Sequence, residues 1–247
     1  MREILTDLVA EQQGLDQFLQ KIAPRLWNQP TGAKGWSIHD LVSHLASIEE
    51  LAAQCVIEGL DPNVLVAEAG SLNALIKEGV DRGKSMRPQD VIEWWRGSRA
   101  STMDALWNKD SSDRMHWFGG DVSAKMMATY RIMETWAHGL DVWDIYGDEE
   151  TIIETPRLQH VSFLGYHLLG TVFEQAGEEY DPVRLEVMGP GYAKWVFGPE
   201  GADRIKGPAI DWCRLVVRRA QLKDLPDLVA EGPAAERAIK RAAAYIE

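Results

Sequence analysis

Two cysteines in 247 residues, Cys55 and Cys213, are too few and too far apart for a disulfide framework, and neither belongs to a Cys-x-x-Cys pair. Both read as buried, inert thiols. The chain also lacks any run of roughly 20 apolar residues, the length a membrane span needs. Its opening Met1-Arg2-Glu3-Ile4-Leu5-Thr6-Asp7 is charged and amphipathic where a signal peptide would be apolar. Positive charge is scarce as well. The 26 Lys and Arg stand against 38 Asp and Glu, and the net charge of −12 repels phosphate backbones and anionic membranes. Nucleic-acid and membrane partners are therefore disfavoured. The expectation is a cytoplasmic protein that acts on a small molecule, and no oligomeric state follows from the sequence.

The sequence does have length and apolar content, 45% hydrophobic residues, enough for one large or two ordinary cores. It changes character near residue 155. Before that point helical periodicity marks four long stretches, about 2–22, 37–59, 88–108 and 122–146. Ser37-x-x-Asp40 resembles a capping box at the start of the second, and Leu41, His44, Leu45 and Ile48 form its inward stripe. The third follows Pro88 and carries Val91, Trp94, Trp95 and Leu106. The fourth starts near Asp121 or Ser123 and stops at Gly147. Four helices of this length joined by polar connections suggest a four-helix bundle. A fifth helical segment spans about 157–175. Residues 183–188 and 194–197 then read as strands between Pro and Gly punctuation, followed by a helix from 209 to 218, an extended piece near 228–230 and a helix from Pro233. The expected architecture is α+β, with a bundle over 1–155 and a small α+β domain over 156–247.

Chemistry concentrates in Glu134-Thr135-Trp136-Ala137-His138-Gly139-Leu140-Asp141. Glu134 and His138 are four residues apart, roughly 40° around one helix face, and Asp141 follows near enough to orient the imidazole from behind. A carboxylate on an apolar face is costly to bury unpaired, and a metal ion offsets that cost. The third ligand expected is His44, on the inward stripe of the second helix. Two imidazoles and one carboxylate leave open positions, as in a catalytic zinc site, with iron or nickel as alternatives.

The other histidines fit less well. His39, about 140° from His44, reads as a first-turn surface residue. His160 and His167 read as packing residues, and His116 lies in a loop before Trp117. Glu49 and Glu50 read as solvated or supporting residues. Of the ten tryptophans, Trp36, Trp117 and Trp136 flank the expected site and are candidates to wall a substrate pocket.

The stretches Gly35-Trp36-Ser37-Ile38-His39-Asp40-Leu41-Val42-Ser43-His44-Leu45-Ala46, Trp117-Phe118-Gly119 and Arg131-Ile132-Met133-Glu134-Thr135-Trp136-Ala137-His138-Gly139-Leu140-Asp141-Val142 resemble the metal-binding domain of the mycothiol-dependent maleylpyruvate isomerase family. That resemblance implies a DinB-like bundle whose metal ligands are one His on the second helix and the Glu and His of Glu-x-x-x-His on the fourth. Carried over, these are His44, Glu134 and His138. The tail extends the likeness. Trp195 with Gly198-Pro199, Gly207-Pro208-Ala209-Ile210-Asp211-Trp212-Cys213, Arg218-Arg219 and Glu231-Gly232-Pro233 are similar to the C-terminal, sterol-carrier-like α+β domain of actinobacterial-type relatives. In the isomerase a C-terminal arginine near a Gly-Arg motif serves activity. Here Arg218-Arg219 stand at about that place without the glycine.

The resemblance implies a divalent metal, zinc first, and a low-molecular-weight thiol as cosubstrate. In the family reaction the thiol adds to a conjugated double bond, allows rotation and leaves. The function expected is thus a metal-dependent isomerase or thiol transferase acting on a small organic acid or thioester, with Arg218 or Arg219 gripping a carboxylate. The alternatives are a metal-assisted hydrolase or lyase using bound water, or a non-catalytic metal- and ligand-binding protein.

Overall fold

The structure is a computed structural model that describes residues 1–245. The chain divides into two compact units, Met1–Thr151 and Ile152–Glu247.

In the first unit, α1 (Arg2–Lys21) buries Ile4, Leu5, Leu8, Leu15 and Leu19 at helical spacing and packs on the last helix of the unit. The second helix, α2 (Ile38–Glu58), begins at a full capping box. Asp40 N–H donates to Ser37 Oγ at 3.1 Å, and Ser37 N–H donates back to Asp40 Oδ2 at 3.0 Å. Two short helices follow, α3 (Pro62–Ala69) and α4 (Leu72–Gly83), capped by the side chains of Asp61 and Ser71. The polar connection expected here is therefore helical. Pro62 and Gly70 look like loop punctuation, but Pro62 occupies the first turn, where no N–H is needed, and Gly70 ends α3 at a left-handed φ of 87°. Helix α4 lies close on α2, because a methyl at Gly79 or Gly83 would overlap the side chain of Ser47 or Ser43.

Helix α5 (Pro88–Trp107) packs along α2 and closes the bundle with α6 (Ala124–Tyr146). Between them lies an antiparallel hairpin that the periodicity did not show, β1 (Arg114–Trp117) paired with β2 (Gly120–Ser123). Ser123 then caps α6 by accepting from Met126 N–H at 3.1 Å. Helix α6 is buried on nearly every side: from Met127 to Trp143 only Glu134 keeps partial exposure.

The second unit opens with α7 (Leu158–His167) and α8 (Leu169–Gln175), so the expected helix over 157–175 breaks at Leu168. Strands β3 (Arg184–Met188), β4 (Lys194–Phe197), β5 (Arg204–Pro208) and β6 (Val229–Glu231) form one sheet in the order β4-β3-β5-β6, with β3 and β5 parallel. The strand β5 was not expected, since Ile205 is its one apolar inward residue before Gly207-Pro208. Leu185, Val187, Trp195 and Ile205 are buried, against α7 and α9 (Ala209–Val216). The alternate residues Glu186, with Arg184 and Lys194, and Glu231, with Arg204 and Lys206, form charged triplets. Helix α10 (Pro233–Arg241) ends the fold. Cys55 and Cys213 are free and buried, and the architecture is α+β with a DinB-like bundle.

Candidate metal centre

Helix α2 contributes His44, and α6 contributes Glu134 and His138. His44 Nε2 lies 3.3 Å from Glu134 Oε1, and His138 Nε2 lies 3.7 Å from the same oxygen. The three ligand atoms all fall within 4.8 Å of one another, a cluster that could hold a metal ion. Ligands about 2.0–2.1 Å from one ion in a tetrahedral array sit roughly 3.3–3.5 Å apart, so the residues fit such an ion with small adjustments.

The second nitrogen of each ring distinguishes the two histidines. His138 Nδ1 lies 2.9 Å from Asp141 Oδ2, a carboxylate buried on the same helix, so Nδ1 carries a proton donated to Asp141 and the ring is turned to direct Nε2 at Glu134. His44 Nδ1 is buried with no hydrogen-bond partner, and Nε2 is the ring nitrogen turned to a polar group. Burial pushes the His44 imidazole down to about 4, against the pull of Glu134. Burial alone would raise Glu134, but the hydrogen bonds of His138 and His44 and the charges of His138 and Arg131 outweigh it and hold the carboxyl well below its ordinary range. A neutral imidazole at His44 beside an ionised Glu134 carboxylate matches the states that metal ligation requires of these two groups.

One flank of the cluster is walled by the loop before α2. Thr31 shapes it: its N–H donates to Trp36 O at 2.9 Å, its hydroxyl donates to the same oxygen at 3.0 Å, and it accepts from Ala33 N–H at 3.2 Å. The Trp36 ring consequently sits 4.8 Å from the His44 ring and 5.7 Å from that of His138, stacked at 21° on the latter. Gly32 ties the loop to α6 by donating its N–H to Asp141 O at 2.7 Å.

The structure places the other candidates as follows. Trp117 is buried on β1, under the Arg131 guanidinium at 5.3 Å from the ring centre. Trp136 is buried, two residues and about 200° around α6 from Glu134, so it projects away from the ligand face. His39 corrects its expectation: it is buried, with Nε2 3.0 Å from Met86 O, because α4 and the following turn cover the start of α2. Glu49 is likewise buried rather than solvated, beside Arg131, whereas Glu50 pairs with Arg82 nearer the surface. His116 lies on β1, with Nδ1 2.7 Å from Asp121 Oδ1. His167 stacks on Phe163.

In the second unit Arg218 and Arg219 follow the end of α9. Arg218 adopts a left-handed φ of 59°, uncommon for a residue with a side chain. It lines a cavity of about 770 Å³ together with Lys240 and Arg241, and Arg219 Nη1 donates to Val217 O at 2.8 Å. Sequence reasoning missed Thr31, Gly32 and Arg131. Pro30-Thr31-Gly32 before the Trp36 motif was a visible turn signal, and Arg131 on the apolar face of α6, three residues before Glu134, was a visible anomaly.

Residues 8–143 match the sequence profile of the mycothiol maleylpyruvate isomerase N-terminal domain. The chain belongs to the mycothiol maleylpyruvate isomerase family. Two proteins of Mycobacterium tuberculosis, Uncharacterized protein MT0041 and Uncharacterized protein Rv0036c, are each 31% identical to it over 245 residues, covering 98% of this chain and 94% of theirs. The crystal structure of the mycothiol-dependent maleylpyruvate isomerase superposes with a TM-score of 0.61 at 16% identity, over 94% of this chain and 95% of that one. A histidine-to-alanine mutant of that enzyme gives the same values, so the shared fold extends through both units. Among the described residues no helix is long and apolar enough to cross a membrane.

Proposed function

We infer that this member of the mycothiol maleylpyruvate isomerase family is a metal-dependent isomerase or thiol transferase acting on a small organic acid or its thioester. The observation that carries the reading is the convergence of His44, Glu134 and His138, with Asp141 behind His138, inside the family's own domain. His44 Nε2, His138 Nε2 and one Glu134 oxygen would hold the ion, and two nitrogens with one oxygen suit zinc. When bound, such an ion supplies Lewis acidity that ionises a thiol or water and polarises a carbonyl.

The chain's own residues do the remaining work. Asp141 keeps the His138 proton on Nδ1 and fixes the ring plane. Trp36 covers both imidazoles on one flank and limits water there. Arg218, which lines a cavity with Lys240 and Arg241, or Arg219 would bind a substrate carboxylate through two parallel N–H donors, a geometry lysine cannot reproduce. The test is metal analysis of freshly purified protein combined with titration of mycothiol. About one divalent ion per chain and a thiol affinity that disappears on metal removal support the reading. Thiol-independent turnover would favour a hydrolase or lyase instead.

A further inference from the structure

The bundle holds a second buried polar group that the metal ligands do not explain. Arg131 lies three residues before Glu134 and seven before His138, on the same face of α6, and is 2% exposed. Its Nε is 3.5 Å from Oε2 of Glu49 on α2, also 2% exposed. That spacing is too long for a good hydrogen bond. Arg131 Nε and Nη1 and Glu49 Oε1 make no hydrogen bond of good geometry, and the amide of Gln12, buried on α1, is near enough to act on the Glu49 carboxyl. Thr102 on α5 donates its hydroxyl to the Glu49 backbone carbonyl at 2.9 Å. Burial pushes the Glu49 carboxyl up, with Arg131 the largest opposing influence.

Stability does not account for this pair. Two charges taken out of water and incompletely hydrogen-bonded are commonly no better for folding than apolar residues of similar volume. Its position does account for it. An amphipathic helix is held in one rotational setting by its apolar stripe, but α6 is buried almost all round between Met127 and Trp143, so apolar patterning leaves its rotation loosely specified. A rotation of one residue, about 100°, would carry Glu134 and His138 away from His44. The Glu49–Arg131 contact joins α2 to α6, the two helices that bear ligands, one turn from Glu134. A polar pair between helices, set beside the His44–Glu134 contact, is a known means of fixing the register of packed helices.

We propose that Glu49 and Arg131 are positioning residues that set the rotation of α6 against α2 and so bring Glu134 and His138 to His44. The role rests on the reading of those three residues as metal ligands. The test replaces both partners, Glu49→Leu with Arg131→Met, so that no unpaired charge is left buried. The double variant should fold with a melting temperature equal to or above that of the parent, yet bind zinc at least about 10-fold more weakly. The crystal structure of its metal-free form should show the His44 to Glu134 distance lengthened beyond 3.3 Å. Arg131→Lys, which keeps the charge, should recover part of the affinity. A folded double variant with parental zinc affinity and an unmoved Glu134 overturns the proposal. Failure of the double variant to fold overturns it too, because the pair would then serve stability. If the parent itself binds no zinc the metal reading fails separately, and the metal-free structure still decides the rotation.

Discussion

Asp141 Oδ2 lies 2.9 Å from Nδ1 of His138, and that contact dictates which nitrogen of the ring meets Glu134. With Asn at position 141 the negative charge is gone and an amide can present its N–H₂ to the ring instead. Metal affinity of Asp141→Asn should fall roughly 10- to 100-fold while the bundle stays folded. Calorimetric zinc titration against circular dichroism checks both halves. A change below twofold would remove Asp141 from the centre.

His138→Ala should leave the purified, dialysed protein with little or no divalent metal, measured by plasma emission. His39→Ala should keep the metal. Its cost falls on stability, about 1 kcal/mol, because the ring is buried and hydrogen-bonds only to Met86 O among the contacts described. Loss of metal in the His39 variant would mean that the wrong histidine of α2 has been assigned.

Acid should destabilise the metal-free protein. His44 is lowered from 6.5 to about 4 by burial, so between these values the unfolded chain binds a proton there that the folded chain refuses. Its contribution is complete above pH 6.5 and is lost as pH falls towards 4. Glu134 is also lowered, so its contribution is present above its ordinary value of 4.5 and disappears at lower pH. Urea midpoints measured from pH 7 to pH 4 should therefore decline, and His44→Gln should flatten the upper part of that decline. A parental midpoint that is level across this window contradicts the assignment.

Gly32 has little room for a side chain. An added Cβ would stand 3.1 Å from both Cα and Oδ1 of Asp141, so either the loop or the carboxylate must yield by a few tenths of an ångström. Gly32→Ala should weaken zinc binding severalfold. In an Asp141→Asn background the same change should add little, because both act through one contact. Full additivity of the two losses would disprove the link.

Arg218→Lys or Arg219→Lys should reduce turnover sharply once a substrate is in hand, with metal content unchanged. Normal turnover in both variants would remove the arginines from catalysis.

The centre was legible where one helix fixes the geometry. Glu134, His138 and Asp141 are spaced so that any α-helix brings them together, and the Ser37–Asp40 cap marked the start of the helix that presents His44. Contacts between distant segments were not legible. Gly32 meets Asp141, and His39 meets a backbone carbonyl 47 residues away, through tertiary packing that no periodicity encodes. Burial of α6 on all sides also hid Arg131, since a helix without a polar face gives a charged residue no side to be assigned to. Helices α3 and α4 escaped for the opposite reason: each is short, and their Pro and Gly mark helix ends that resemble loops.

The burial of Cys55 and Cys213, which pushes both thiols up to about 12, bears on how the protein meets small thiols and oxidants. At neutral pH only about one molecule in 10⁵ would carry either sulfur as the nucleophilic anion. A protein with accessible thiolates, exposed to small thiols and disulfides, is open to mixed-disulfide adducts on its own sulfurs. Neither Cys55 nor Cys213 therefore offers a thiolate for exchange. Both sulfurs of the chain are thus withheld from thiol–disulfide exchange, and mass spectrometry after diamide treatment of the folded protein should find them unmodified.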